Sequence, residues 1–165
     1  MVERKIAHMK AIHIRVIGKP TEAWQNEAVE TYLQRLKPFS KVEIVERKEG
    51  HGGSAKPDAD KTRKIEAESL LKNIPAGAAI IALDETGHNL DSIAFAKKLD
   101  ALSSSGAPLV FLIGGSWGLD KSVRDRANLT ISFGKQTLPH NLARIVLLEQ
   151  LYRAATILSG KEYHK

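Results

Sequence analysis

The chain has 165 residues, of which 42% are apolar and 27% are charged, values typical of one globular domain with a single core. It contains no cysteine, which excludes disulfides, thiolate metal sites and cysteine nucleophiles and indicates a reducing compartment. No run approaches the ~20 apolar residues of a membrane span, and the amino terminus lacks the apolar segment of a signal peptide. We therefore expect a soluble, cytoplasmic protein.

The net charge of +6 is distributed unevenly along the chain. Residues 1–72, 73–133 and 134–165 carry +4, −1 and +3, so both ends are basic. A polyanionic partner would explain this distribution, and so would an ordinary solvated surface. The same two explanations apply to five basic candidates for contact with a polyanion: Lys48, Lys56, Lys61, Arg63 and Lys64.

Apolar runs alternate with amphipathic segments from Met9 onwards. We therefore expect residues 1–8 to be a tag or an upstream extension and residues 9–165 to form a single domain without repeats. In chain order, the pattern predicts a strand at 10–17, a helix at 21–36, a strand at 41–46, a mobile loop at 47–60, a helix at 60–72, a strand at 78–83, a helix at 91–102, a strand at 109–113, a helix at 120–127, a strand at 129–133 and a helix at 140–159. Strands and helices that alternate in this way favour an α/β fold with a parallel sheet and right-handed crossovers.

The last predicted helix is apolar over an unusually wide arc. At 100° per residue, its apolar side chains span about 200°, twice the stripe that one core requires. One flank is therefore expected to pack on something besides its own sheet. The simplest candidate is the same helix of a second copy, because twofold homodimers are the commonest oligomers.

Two arginines of this helix call for an explanation. Arg144 falls inside the apolar arc, where a guanidinium is rarely buried unless it is paired. The alternatives are an ion pair or a snorkelling side chain at a dimer seam, and a clamp on a ligand or phosphate. Arg153 follows Glu149 by four residues, a spacing typical of a helical ion pair.

Histidines stand at both ends of the same region, His140 at the start of the helix and His164 beside Tyr163 near the chain end. Each is either incidental or a proton acceptor, since histidine is the side chain that most readily exchanges a proton near neutral pH. The remaining histidines have no metal-ligand spacing, so no metal site is expected.

Gly114 and Gly115 directly follow the apolar run at 109–113. Glycines at the carboxyl end of a parallel strand either form a tight turn or let the backbone approach a ligand. The segment GGSWG matches neither of the common phosphate-binding patterns, so a dinucleotide or triphosphate site is not expected. Asp84 and Glu85 also follow a strand, where solvated carboxylates are the usual outcome.

Three segments together resemble one family: LIGGSWGL at 112–119, ISFGKQTLPHNLAR at 131–144 and LLEQLYRAATILSGKEYHK at 147–165. They are similar to the RlmH family of the SPOUT superfamily, small methyltransferases that modify N3 of pseudouridine 1915 in 23S ribosomal RNA. The resemblance extends from Met9 to the chain end.

This resemblance implies a homodimer with a carboxyl-terminal trefoil knot, S-adenosylmethionine bound in the knot, and the assembled ribosome as substrate. By motif match, the cofactor-binding residues would be Leu83, Gly115, Phe133, Gly134, Lys135, Gln136, Thr137 and Leu138. The catalytic candidates are His140 and His164 for proton transfer, Arg144 for stabilising the anionic base or a phosphate, and Tyr163 for stacking on the extruded nucleobase. We expect a composite site, with the tail of one subunit beside the cofactor loop of the other.

Two other functions stay open at this stage. A noncatalytic ribosome-binding factor would need only the basic ends of the chain for phosphate contacts. A nucleotide-binding α/β enzyme of another chemistry is the third alternative, and the missing phosphate motifs argue against it.

Overall fold

A computed structural model describes Met9 and residues 11–165. The predicted extension at 1–8 and Lys10 lie outside the described residues. The elements in chain order are β1 (Ala11–Ile17), α1 (Ala23–Leu36), β2 (Lys41–Arg47), α2 (Ala59–Leu71), β3 (Ala79–His88), α3 (Ser92–Ser103), β4 (Leu109–Ile113), α4 (Lys121–Arg126), β5 (Leu129–Ile131) and α5 (His140–Leu158).

The five strands form one parallel sheet in the order β2-β1-β4-β3-β5. Apolar side chains from α1, α3 and α5 pack on one face of the sheet, and those from α2 and α4 pack on the other. All five residues of β4 are buried, which explains its continuous apolar run. The predicted α/β class with a parallel sheet is confirmed, and the carboxyl ends of all strands meet at one edge.

Several predicted boundaries differ from the structure at this edge. β3 continues to His88 instead of ending at residue 83, with an irregular register against β5 after Leu83. β5 ends at Ile131 instead of residue 133, because the Ser132 side chain bonds to the backbone of Gly134 and turns the chain away from the sheet. Both changes lengthen the irregular backbone around the carboxyl ends of the strands.

Helix α5 lies against both α1 and α3 and crosses the middle of the sheet. Neighbours on two flanks account for much of its wide apolar arc within one chain. Packing on something besides the sheet is therefore confirmed, and the arc does not by itself require a second copy of the chain. An apolar remainder does face outwards at the start of the helix, where Leu142 is 36% exposed.

Candidate active site at the carboxyl edge of the sheet

A cavity of about 740 Å³ opens where the carboxyl ends of β3, β4 and β5 meet. Ligands of open α/β sheets bind at this edge. Its wall includes the end of β3, the turn after β4, the loop between β5 and α5, and the start of α5. Charged side chains of α2 and α4 complete it, among them Arg63, one of the predicted polyanion contacts, and Arg124. Seven of the eight predicted cofactor residues line it, namely Leu83, Gly115, Phe133, Gly134, Gln136, Thr137 and Leu138. The eighth, Lys135, is exposed and is not part of the wall.

The diglycine turn after β4 is tight and also lines the cavity, so both alternatives for Gly114 and Gly115 apply. A Cβ atom on Gly114 would lie 2.8 Å from the carbonyl carbon and oxygen of Gly118, so only glycine allows the turn to close. The backbone of Gly115 bridges to Gly118, whose φ is +77°. The turn is therefore tight, and it also presents backbone to the cavity.

Asp84 and Glu85 differ in their surroundings, although both line the cavity. The Asp84 side chain is only 9% exposed and accepts hydrogen bonds from Thr86 and Arg124, so the expected solvated carboxylate is wrong for this residue. Burial raises the pKa of Asp84, but the Thr86 hydrogen bonds and the Arg124 charge outweigh it and leave the pKa below its ordinary value. Glu85 is exposed, as expected, and accepts a hydrogen bond from the Thr137 hydroxyl at 3.0 Å.

His140 is the predicted catalytic residue that lines the cavity. Its ring lies against the backbone of Gly18, where an added Cβ would stand 2.8 Å from Nε2. Partial burial and the positive charge of Arg144 hold the pKa of His140 below its ordinary value, and the Glu49 carboxylate opposes them. The imidazole is therefore neutral at pH 7 and able to accept a proton.

Arg144 is buried beneath His140, with 1% of its side chain exposed. Its guanidinium donates to Glu46 Oε1 on β2 at 2.7 Å and to the carbonyl oxygen of Gly18 at 3.0 Å. It lines neither this cavity nor a surface that a phosphate could reach. Within one chain, the guanidinium thus makes the ion pair of the first alternative, and the pair lies inside the chain instead of at a dimer seam. The clamp on a ligand or phosphate stays a prediction.

The chain end packs on the second half of α5. The Tyr163 hydroxyl donates to Glu149 Oε1 at 3.2 Å, and its ring meets Tyr152 edge to face at a centroid distance of 4.7 Å. Arg153 pairs with Glu149, as its spacing predicts, and also reaches His164 Nδ1 at 3.3 Å. Burial and the Glu149 charge raise the pKa of Tyr163, so its hydroxyl stays protonated at neutral pH.

His164 borders a second cavity, of about 600 Å³, on the side of α5 that faces α3. Residues 131–133 form a wall common to the two cavities. His140 and Glu149, to which the tail binds, are nine residues apart, about 13 Å along the helix axis. Within one chain, the structure therefore separates His140 from Tyr163 and His164.

Sequence reasoning missed three residues around His140 and Arg144. Gly18, Glu46 and Glu49 follow or end neighbouring strands, far from α5 along the chain. The one signal for them was the buried position of Arg144, which requires a carboxylate partner but does not say which one.

The chain matches the family described as "Predicted SPOUT methyltransferase" over residues 9–164. It belongs to the SPOUT methyltransferase family. This confirms the superfamily resemblance that the three carboxyl-terminal segments carry. Because a methyltransferase needs a methyl donor, the cavity at the strand ends, together with the loop before α5, is the candidate site for that donor.

Curated relatives have the name that the resemblance anticipates. A protein from Gemmatimonas aurantiaca named "Ribosomal RNA large subunit methyltransferase H" is 40% identical over 154 residues, which cover 93% of this chain and 99% of the relative. A protein of the same name from Caldicellulosiruptor saccharolyticus is 42% identical with the same coverage. In fold, the chain is similar to a probable methylase family protein from Haemophilus influenzae, with a TM-score of 0.52 and 10% identity over 96% of this chain and 71% of the other.

Two further observations concern only residues 9 and 11–165. No helix there is long and apolar enough to cross a membrane. Nor do three or more histidine, aspartate or glutamate side chains of this part of the chain converge as metal ligands would.

Proposed function

We propose that this chain transfers a methyl group from S-adenosylmethionine to N3 of pseudouridine 1915 in the 23S ribosomal RNA of the assembled ribosome. The observation that carries the proposal is the cavity at the carboxyl edge of the sheet, which gathers seven residues selected by motif match alone. The names of the relatives, ribosomal RNA large subunit methyltransferases, support the class of substrate. Ribosomes are cytoplasmic, so the cytoplasm is the proposed location.

The residues of the cavity suit S-adenosylmethionine. A volume of about 740 Å³ lies in the range of small-molecule sites. Strand tips such as Leu83 and Ile113 offer apolar surface to an adenine ring. The lining carries four carboxylates and three cationic side chains, an excess of one negative charge that favours a positively charged ligand: Asp60, Asp84, Glu85 and Asp120 against Arg63, Lys121 and Arg124. When bound, S-adenosylmethionine supplies an electrophilic methyl group on a positively charged sulfur.

The residues of this chain must then handle a proton, because the imide N3 of pseudouridine is protonated at neutral pH. We assign proton acceptance to His140 or to His164, and stacking on the nucleobase to Tyr163. Arg144 is assigned a positioning role, since its guanidinium holds Gly18 against His140 and contacts no ligand surface.

The separation of His140 from the tail within one chain favours a site composed of two subunits. In a twofold dimer, the tail of one chain would meet the donor cavity of its partner. The exposed Leu142 at the start of α5 offers apolar surface for such a dimer. The trefoil knot that the resemblance implies for the carboxyl-terminal part belongs to the same proposal.

Calorimetry with S-adenosylmethionine separates the proposed methyltransferase from the two other candidate functions. We expect one site per chain, and loss of binding in Gly134→Val, because the φ of +124° at Gly134 strains any β-branched residue. A chain that binds no S-adenosylmethionine would instead support a noncatalytic ribosome-binding factor or another nucleotide enzyme. Mass spectrometry of ribosomal RNA from cells that lack the protein then tests the substrate, with loss of one methyl group on one pseudouridine as the expected result.

The lowered pKa of His140 predicts the pH dependence of methyl transfer. If His140 accepts the proton, the rate falls only at pH values below the ordinary histidine pKa of ~6.5, where the ring becomes protonated. His140→Gln should remove this acidic limb and lower kcat by about 10²- to 10⁴-fold. His164→Gln is the matched variant: if it removes the limb and His140→Gln does not, the proton acceptor is His164.

A further inference from the structure

A buried carboxylate that the proposed chemistry does not use lies directly behind the diglycine turn. Glu66 lies on the face of α2 that is turned towards the sheet, and it is only 3% exposed. Its surroundings include the apolar side chain of Ile17, near which a carboxylate is unfavourable unless hydrogen bonds compensate its burial. The role of Glu66 therefore depends on the groups that its carboxylate contacts.

Glu66 contacts two loops that follow different strands. Its Oε1 accepts a hydrogen bond from the backbone N–H of Gly50 at 2.9 Å, in the β2–α2 loop (residues 48–58). A Cβ atom on Gly115 would lie 3.1 Å from each carboxylate oxygen, and one on Gly50 would lie 3.0 Å from the Glu66 Cγ. Neither glycine has a positive φ, so the close approach of α2, including Glu66, explains why glycine stands there.

The contacts with the two glycines are not equally complete, and the one with Gly50 is a full hydrogen bond. The N–H groups of Gly50 and Gly115 both lower the pKa of Glu66, but burial raises that pKa more strongly. Oε2 has no partner of normal hydrogen-bond geometry in the described part of the chain. Glu66 Oε2 can therefore accept a further hydrogen bond on the side of Gly115. The same turn lines the cavity proposed for the methyl donor.

Charges of the β2–α2 loop also act on this carboxylate. The Glu49 charge raises the pKa of Glu66, and His51 lowers it. The same loop carries the exposed side chains of Lys48 and Lys56, two of the predicted contacts with a polyanion. Glu66 is thus in contact with the backbone of the cavity wall on one side and, on the other, with a surface loop that carries two exposed lysines.

We propose that Glu66 is a positioning residue that couples the β2–α2 loop to the diglycine turn, so that methyl-donor binding and the order of this loop strengthen each other. This inference rests on the proposed function and deepens it, because RNA that contacts the loop would then raise the affinity for the donor. Coupling of this kind is reciprocal by thermodynamic necessity. A carboxylate is required, since its two oxygens can accept from both N–H groups at once. In glutamine, an NH₂ donor replaces one of these oxygens and would face one of the N–H groups.

The test uses Glu66→Gln with Glu68→Gln as the matched control, an identical change at an exposed position of the same helix. Calorimetry should show affinity for S-adenosylmethionine about tenfold weaker in Glu66→Gln, the effect of one lost hydrogen bond to a charged group, and unchanged in Glu68→Gln. Hydrogen exchange should show that S-adenosylmethionine slows exchange of the β2–α2 loop amides in the wild-type chain and not in Glu66→Gln. Weaker folding alone would lower the unfolding midpoint without removing this ligand-dependent protection.

Each outcome decides the matter. A Glu66→Gln affinity within twofold of the wild type overturns the coupling while leaving the proposed function intact. If Glu66→Gln does not fold, exchange in the wild-type chain decides: protection of residues 48–58 by S-adenosylmethionine supports the coupling, and unchanged exchange refutes it. A wild-type chain that binds no S-adenosylmethionine removes the proposed function, and the coupling with it.

Discussion

Heterodimers that carry a tail truncation on one subunit and Gly134→Val on the other should retain about half of the wild-type methyl transfer, because a twofold dimer then keeps one intact composite site. The truncation removes residues 163–165, and Gly134→Val strains the backbone of the cofactor loop. Heterodimers with both changes on the same subunit should be inactive, since each site then contains one defective part. Two affinity tags allow both heterodimers to be purified and assayed on ribosomes.

The physical reason is the position of the tail. Tyr163 and His164 bind to Glu149 and Arg153, on the far half of α5 from His140, and His164 borders a different cavity from the one that His140 lines. Equal activity of the two heterodimers would refute the composite site. Activity only when both changes share a subunit would show that each chain completes its own site.

Removing the carboxylate partner of Arg144 should give the second large effect, this time on stability. Glu46→Ala leaves a guanidinium that is 1% exposed with no opposite charge. We expect the free energy of unfolding to fall by about 3 kcal/mol, the lower end for broken buried pairs, because the 40% exposed Glu46 side chain is partly screened by water. Chemical denaturation measures the change.

Two variants make this result specific. Glu43→Ala removes a carboxylate three residues earlier on β2 whose side chain is 58% exposed, and it should cost at most about 1 kcal/mol. Glu46→Ala combined with Arg144→Met should recover most of the lost stability, since an apolar side chain replaces the unpaired charge. If Glu46→Ala alone proves as stable as the wild type, the pair contributes no stability and the clamp alternative for Arg144 returns.

The order of strands and helices was predictable because each leaves a local periodicity. The buried run at 109–113 and the amphipathic segment at 91–102 both became the predicted elements, with shifts of no more than a residue. Sheet order was not predictable in the same way, because continuous apolar strands do not specify which neighbour they pair with. The far end of β3 was missed because Glu85 and Thr86 are exposed and carry no apolar signal.

The candidate site was also predictable only where its residues are close together in the sequence. Its cofactor loop came from contiguous motifs, and the chain brought seven of those eight residues to one cavity. The partners of Arg144 and Glu66 were out of reach, because each contact joins segments that are distant in sequence: Glu46 is 98 residues from Arg144, and Gly115 is 49 from Glu66. Only the folded chain shows which buried charge meets which loop.

The wall at 131–133 between the two cavities has a consequence for the order of events. Because both cavities are lined by these three residues, a ligand that displaces Phe133 in one cavity alters the room in the other. Binding in one cavity would then weaken or strengthen binding in the other. If the first cavity holds the methyl donor, as proposed above, exchange of the donor for its product would change the shape of the second cavity and the affinity for an occupant there.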